Sequence, residues 1–156
     1  MLGTTVLMAS CVLSKAETAC DSDDDLTAAV FRFQFANNRS AIGERAGSYF
    51  LALEDDRDPG ANLLDRFAGH SPPVRPLSDL TLPETTERVT DPSTGEQGLI
   101  FRIYKRSMLS ETEAVVEGGY YEANLSASWI TMRAKCQEGT WRVERIGPEK
   151  IVSLSE

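Results

Sequence analysis

The stretch from Gln97 to Ile146 constrains the fold most, because it combines a sustained strand period with turn residues at regular spacing. Within Gly98–Arg106, apolar residues alternate with polar ones, as in a strand that buries one face. Ala114–Glu117 resumes a strand composition after a polar turn, and Trp141–Arg145 returns after a hairpin loop at 137–140. The pattern predicts an antiparallel meander of four strands joined by short loops.

The paired glycines Gly118-Gly119 permit either a hairpin turn or a bend inside one long strand. We favour a bend or bulge, because Tyr120–Ala134 keeps a strand-like composition after them. The apolar parity of this run changes near Ser128. Such a change fits a second bulge, or a long curved strand whose ends pack on different partners.

An amphipathic helix is predicted from Asp25 to Asn37, ahead of the meander. Acidic residues at 23–25 can cap its first turn and place negative charge at the positive end of the helix dipole. We expect this helix to fill the concave face of the sheet with three aromatic residues, Phe31, Phe33 and Phe35.

Between the helix and the meander, Ser48–Glu54 has the composition of a short strand that pairs at an edge of the meander. A short helix is expected between Asp58 and Gly69, with a proline in its first turn. Pro72–Gln97 is interpreted as mostly a long loop, or as a loop that includes one edge strand.

The fold class that these patterns predict is α+β. A curved antiparallel sheet of four to five strands would pack on one main N-terminal helix and one short helix. The chain has 156 residues, of which 41% are hydrophobic and 26% charged, and these values are typical of a globular chain of one domain. We expect a single domain over residues 23–156, preceded by a leader and polar tether over residues 1–22.

The run Glu117–Ser128, followed by Gly139–Val143, resembles the C-terminal part of small exported bacterial proteins of unknown function. Their layout is similar to cystatin-like and nuclear-transport-factor-like α+β domains, in which a curved sheet wraps one or more helices. The resemblance implies this fold for the chain. It brings no catalytic residues with it.

The charge of the chain excludes several classes of partner. With 16 basic and 24 acidic residues the formal net charge is −8, which opposes general binding to nucleic acid or to anionic membranes. An acidic surface is most often simply a soluble one, and a basic partner or cations are the alternative.

Few residues are available for chemistry that needs nucleophiles, metals or cofactors. His70 is the only histidine, which rules out any site that needs two, such as a multi-histidine zinc site. We also expect no Ser-His-Asp arrangement. The position of His70 in a loop is typical of a structural or exposed histidine. The three cysteines lack CxxC spacing, and no phosphate-binding or dinucleotide-binding loop is present. We therefore expect no metal and no cofactor.

The first residues predict export. Thr4–Cys11 ends in two small residues and a cysteine, as in a bacterial lipoprotein signal, where that cysteine is acylated and becomes the new N-terminus. The apolar run is too short to remain as a membrane-spanning helix. We expect lipid anchoring through Cys11 in preference to release into the periplasm or medium, and a buried N-terminal helix or strand is the structural alternative. If Cys11 is acylated, Cys20 and Cys136 remain as an even pair that an oxidising compartment can join.

The best polar cluster for a site surrounds the glycine pair: Glu117, Tyr120, Tyr121 and Glu122. If the strand bends there, these side chains could line one end of the sheet. The alternative is the exposed face of an ordinary strand. We expect a non-catalytic binding domain of the cell envelope that recognises a protein partner or a small apolar ligand. The competing hypothesis is a small enzyme with a carboxylate and tyrosine pocket.

Overall fold

The computed structural model describes Cys20 and residues 22–80, 88–123 and 126–152. Within these residues the chain forms an open, mostly antiparallel sheet of seven strands with two α-helices. The predicted α+β class is thus confirmed. The predicted count of four to five strands was too low, because two of the strands have only three residues each and carry no apolar period. The predicted acylation of Cys11 lies outside the described residues.

The helices are α1 (Asp23–Asn37) and α2 (Ala61–Asp65). The strands are β1 (Tyr49–Ala52), β2 (Val74–Pro76), β3 (Leu99–Ser110), β4 (Glu113–Ala123), β5 (Ser126–Gln137), β6 (Thr140–Arg145) and β7 (Lys150–Val152). Their order across the sheet is β2-β1-β3-β4-β5-β6, and β7 pairs with the first half of β5. The meander predicted from the strand period is therefore the larger part of the sheet.

The helix α1 covers one face of the sheet, which we call the inner face. It begins with three acidic residues and ends at Asn37, close to the predicted bounds. Phe31 is fully buried, and Phe35 packs its ring 4.8 Å from that of Phe101 on β3. Phe33 is partly buried against the same core. Aromatic side chains of α1 thus fill the space that the sheet leaves on this side.

The strand β1 pairs at the edge of the meander, as predicted, but it runs parallel to both of its neighbours, β2 and β3, whereas an antiparallel sheet was expected. Parallel strands need a long crossover connection. The segment that carries α2 supplies one between β1 and β2, and the long segment before β3 supplies the other. One interpretation of the proline-rich region included an edge strand, and β2 is that strand. Because β2 pairs with β1, β1 is not at the edge of the sheet.

The glycine pair lies inside one strand, as expected for a bend, because β4 runs unbroken from Glu113 to Ala123. The register shift opposite it falls on β3, where Tyr104 stands between the pairs Ile103↔Gly118 and Lys105↔Glu117. A Cβ on Gly118 would lie 2.6 Å from the Arg102 carbonyl oxygen and from the Gln34 amide nitrogen of α1. Glycine is therefore needed for the close approach of helix and bulge.

Of the two alternatives for Tyr120–Ala134, the one long curved strand was wrong. β4 ends at Ala123 and β5 begins at Ser126, and the two strands pair antiparallel along most of their lengths. A register shift in the β4–β5 ladder falls between Tyr121 and Ala123 of β4, which pair with Ala127 and Ser126 of β5. A second irregularity is therefore present within this run, and it lies on β4 next to the point where the two strands meet. Along β5 the inner face keeps one parity: Ser128, Ile130, Met132 and Ala134. Trp129 lies on the opposite, outer face.

A second, smaller apolar cluster lies on the outer face: Phe50, Ala52, Leu77, Val89 and Ile100. The side chains of Ile100 and Phe101 are successive on β3 and are buried in different clusters. The loop that precedes β3 covers part of this face. The sheet is consequently packed on both sides over β1 and the start of β3.

A disulfide joins Cys20 to Cys136, with their Cα atoms 5.9 Å apart, and attaches the residue just before α1 to the end of β5. The two cysteines are 116 positions apart in the chain, so the bond closes a long loop and reduces the entropy of the unfolded state. Within the described part of the chain, none of the helices has the length and apolar content needed to cross a membrane.

Candidate functional site

Successive side chains of β4 point to opposite faces of the sheet, and this separates the four residues that were expected to form a site. Tyr120 is 6% exposed and belongs to the inner core. Tyr121 packs against the outer cluster instead. The side chain of Glu122 again lies on the inner face. Glu117 lies on the outer face, because its neighbours Val116 and Gly118 face inward. The four side chains therefore do not converge on one cavity.

Glu122 joins three segments of the chain through its buried carboxylate. It accepts hydrogen bonds from Ser40 Oγ at 2.9 Å, from the Ala41 backbone N–H at 3.3 Å and from Gln97 Nε2 at 3.3 Å. These donors fix the segment after α1 and the approach to β3 onto β4. A carboxylate held in this way is typical of a structural anchor.

An open groove lies on the outer face of the sheet. Its volume is about 560 Å³, and it is lined by Leu53, Asp55, Asp56, Ile100, Arg102, Ile103, Tyr104 and Tyr121. This volume is in the range of ligand sites in proteins. Tyr121 is the one residue of the predicted cluster that belongs to it.

An aromatic stack lies beside the groove, which Tyr104 lines. The rings of Tyr104 and Trp129 lie 4.1 Å apart at an interplanar angle of 15°. They belong to β3 and β5, which are separated by β4. The β4 partner of Trp129 is Gly119, which pairs on β3 with Arg102, two positions before the displaced Tyr104. Since glycine has no side chain, Gly119 leaves room on this face for the two rings to meet. Trp129 is 39% exposed, and burial raises the pKa of Tyr104 despite the opposing effect of Arg102.

A tight acidic turn forms the opposite rim. Asp55 and Asp56 have φ values of 59° and 56°, in the left-handed region that non-glycine residues seldom occupy. The backbone N–H of Leu53 donates to the Arg57 carbonyl oxygen at 2.8 Å and closes the turn. Asp56 forms an ion pair with Arg102 on the floor of the groove, while Asp55 remains exposed.

The loop over the outer face is held by Asp91, which is completely buried. Its carboxylate accepts hydrogen bonds from Ser48 Oγ at 2.5 Å, from Ser93 Oγ at 2.6 Å and from Arg75 Nη1 at 3.0 Å. Burial alone would raise the pKa of Asp91, but the hydrogen bonds from Ser48 and Ser93 and the charge of Arg75 hold it well below its usual value.

The sequence predicts a turn at Asp91–Gly95, and the turn is present, since the Gly95 N–H donates to the Asp91 carbonyl oxygen at 2.8 Å. The ion pair with Arg75 was missed. Arg75 and Asp91 are 16 positions apart in the chain, and no local sequence pattern links them.

A second, smaller cavity of about 190 Å³ lies beside α1 and contains His70, Tyr49, Glu44 and Arg32. The Pro72 carbonyl oxygen, 2.7 Å from His70 Nδ1, can only accept, so Nδ1 carries the proton and Nε2 is the basic nitrogen. Burial, followed by the charge of Glu44, raises the pKa of Tyr49. The rings of Phe35 and Tyr49 flank His70, an environment in which the histidine fills space.

Among the described residues, no group of three His, Cys, Asp or Glu side chains is placed to hold a metal ion. Comparison of the chain with family models, with curated proteins and with solved structures gave no match. The groove and the aromatic stack are therefore interpreted from their own chemistry.

Proposed function

We propose that this protein is a non-catalytic binding domain of the cell envelope, and that its outer-face groove recognises an exposed segment of a protein partner. The observation that carries the proposal is the Tyr104–Trp129 stack beside the groove, with Trp129 39% exposed. Aromatic residues of this kind are enriched among the anchors of protein interfaces. Export and acylation at Cys11 remain part of the same proposal.

The inner face supports binding over catalysis. Phe31 and Phe35 fill the inner face of the sheet, where the competing enzyme hypothesis would need an open pocket. The Glu122 carboxylate accepts hydrogen bonds from Ser40, Ala41 and Gln97 of neighbouring segments. A general acid or base needs an open approach for the group whose proton it transfers, and these contacts favour an anchoring role.

The chemistry of the groove points to an apolar group beside a basic one. Leu53 offers aliphatic surface above the buried Ile100, and the rings of Tyr104 and Tyr121 offer aromatic edges and faces. Arg102 is neutralised by Asp56, whereas Asp55 is exposed at the rim. Together with the net charge of −8, this arrangement favours a segment with Lys or Arg next to an apolar side chain.

The test is a library of extended nine-residue peptides screened against the full disulfide-bonded chain. We expect enrichment of peptides with a central aromatic or aliphatic residue next to Lys or Arg. Tyr104→Ala should weaken the enriched peptides about tenfold or more, the effect of losing roughly 1.4 kcal/mol of binding energy. Asp55→Asn should weaken the basic peptides alone.

Ile151→Ser is the matched control, because Ile151 is an exposed apolar residue (57%) that does not line the groove. Equal binding of the enriched peptides to the parent chain and to Tyr104→Ala would refute the groove as the site. If no peptide is enriched, a peptide segment is the wrong class of ligand.

The second candidate, a small apolar ligand, rests on the volume of the groove. A hydrophobic dye that is displaced by no enriched peptide and is lost in Tyr121→Ala would favour it. Turnover that disappears in Glu122→Gln or Glu117→Gln would overturn the binding hypothesis in favour of the enzyme.

A further inference from the structure

The start of the described chain lies next to the turn between β3 and β4. Cys20 is bonded to Cys136, and the backbone N–H of Cys136 donates to the Thr112 carbonyl oxygen at 2.8 Å. Thr112 belongs to the turn that joins β3 to β4. The disulfide therefore holds the N-terminal end of the domain beside this hairpin.

The same hairpin carries two exposed apolar side chains, Met108 and Leu109, with exposures of 51% and 58%. Met108 pairs with Ala114, and a register shift follows between Met108 and Ser110. Leu109 therefore stands outside the regular ladder at the tip of the hairpin. Adjacent apolar residues exposed in this way are typical of a surface that contacts a partner or lipid.

Another exposed apolar residue, Ile151, is far from this tip. It pairs with Ser128 near the start of β5, whereas Cys136 lies near the end of the same strand. At about 3.3 Å per residue, the two positions on β5 are roughly 25 Å apart. Exposed apolar residues at the two ends of the sheet can therefore be compared directly.

The length of the chain before the disulfide restricts how the domain can be oriented. Cys11 and Cys20 are nine positions apart, so this segment spans at most roughly 30 Å. A folded domain of this length is roughly 40 Å across. A lipid attached at Cys11 would consequently keep the end that holds Cys20 turned towards the bilayer.

We propose that the tip of the β3–β4 hairpin, through Met108 and Leu109, contacts the lipid surface to which acylated Cys11 is anchored. This inference rests on the acylation of Cys11 in the proposed function, and it does not depend on what the groove binds. The groove lies on the half of β3 nearer to Leu99. The domain then stands with its disulfide end on the membrane and presents the groove away from it.

The contact is apolar and not electrostatic. Glu111 is exposed in the turn itself, and the net charge of the chain is −8, so anionic headgroups would repel the chain as a whole. Two side chains cannot hold the domain on lipid alone, but a lipid anchor combined with a second weak contact gives stable attachment.

The test uses the full acylated chain in phosphatidylcholine vesicles whose acyl chains carry bromine, which quenches tryptophan at short range. Leu109→Trp places a reporter at the tip, and Ile151→Trp is the matched control at the opposite end of the sheet. After subtraction of the parent signal from Trp129 and Trp141, we expect at least about twofold stronger quenching of the tip reporter, because only the tip inserts.

Equal quenching of the two reporters, or stronger quenching of Ile151→Trp, would overturn the proposal. A mature chain without lipid on Cys11 would also overturn it, and would leave peptide binding in the groove unaffected. If Leu109→Trp fails to fold, hydrogen exchange of the parent decides: the amides of 108–112 should be protected by vesicles, and unchanged exchange there refutes the contact.

Discussion

The two faces of the sheet are covered in different ways. The inner face is packed against α1 by a continuous set of aromatic residues that includes Phe31, Phe35 and Phe101. The outer face has a small apolar cluster over β1 and the start of β3, held under a loop by the buried Asp91. Beyond that cluster the outer face is open, and the groove and the Tyr104–Trp129 stack lie there.

The comparison indicates that stability and recognition depend on different faces of the sheet. Burial of large apolar side chains contributes most of the favourable free energy of folding, and in this protein those side chains lie mainly on the inner face. A partly exposed aromatic stack contributes less to folding and remains free to contact a ligand. Substitutions on the two faces should therefore affect different measurements.

The largest effect is expected for Phe101→Ala on the inner face. Phe101 is fully buried and packs against Phe35, Tyr49 and Tyr120. Removal of its ring should lower the free energy of unfolding by about 3–5 kcal/mol. Urea denaturation of the disulfide-bonded chain, followed by circular dichroism, measures this change.

The control is Ile100→Ala, the preceding residue on β3, whose side chain is buried in the outer cluster. Its cost should lie near the lower end of the usual range, about 2 kcal/mol, because that cluster is smaller. A cost for Ile100→Ala equal to or above that of Phe101→Ala would contradict the proposed difference between the faces.

A smaller effect is expected for Gly119→Ala, which tests the close approach of β4 and β5 beneath the aromatic stack. A Cβ at this position would lie 1.9 Å from the Ser128 carbonyl oxygen and 3.2 Å from the Trp129 Cα. Because backbone must move, we expect a loss of about 2–3 kcal/mol and a shift of Trp129 fluorescence.

Gly60→Ala serves as its control, since a Cβ there meets nothing within 4 Å; its cost should stay below about 1 kcal/mol, the preference at a helix N-cap. An unchanged stability and emission in Gly119→Ala would show that the strands can separate without cost, and would remove the explanation of the stack.

The smallest effect, about 1–3 kcal/mol at neutral pH, is expected for Asp91→Asn, which leaves Arg75 without its buried partner. The pKa of Asp91 is lowered in the folded protein, so its ionised form stabilises the fold. That contribution is complete above about pH 5 and declines as the pH falls through the unfolded value near 4. The difference between parent and variant should narrow below pH 4.

Asp79→Asn is the matched control, because Asp79 pairs with the same Arg75 at 3.0 Å but is 38% exposed. Its loss should cost less than about 1 kcal/mol. Denaturant midpoints of both variants between pH 3 and pH 7 measure the comparison, and a difference for Asp91→Asn that widens in acid would contradict the assigned direction of its pKa.

Features that depend on neighbouring residues were predictable. The helix over Asp23–Asn37 follows from apolar spacing and acidic first-turn residues. The β5–β6 hairpin follows from a loop with glycine late, and Glu138 and Gly139 indeed have φ values of 51° and 75°. The bend at the glycine pair was also anticipated, although the displaced residue, Tyr104, lies on the facing strand.

Features that depend on distant residues were not predictable. One set of residues was predicted to form a site because its members are close in sequence: Glu117, Tyr120, Tyr121 and Glu122. In the sheet, β4 is paired on both sides, and successive side chains alternate between the two faces, so the four residues are separated. The groove unites β3 with a turn at 53–56 and with Tyr121 of β4. No sequence period marks such a combination.

The sequence by itself determined the local elements: the strand period of the meander, the apolar stripe of α1 and the turn at Asp91–Gly95. These follow from side-chain spacing and backbone preference within a few residues. The tertiary structure alone decided that β1 runs parallel to β3, that Asp91 pairs with Arg75 and that Tyr104 stacks on Trp129. Each of these contacts forms only when segments distant in the chain are brought together by burial of the two sheet faces.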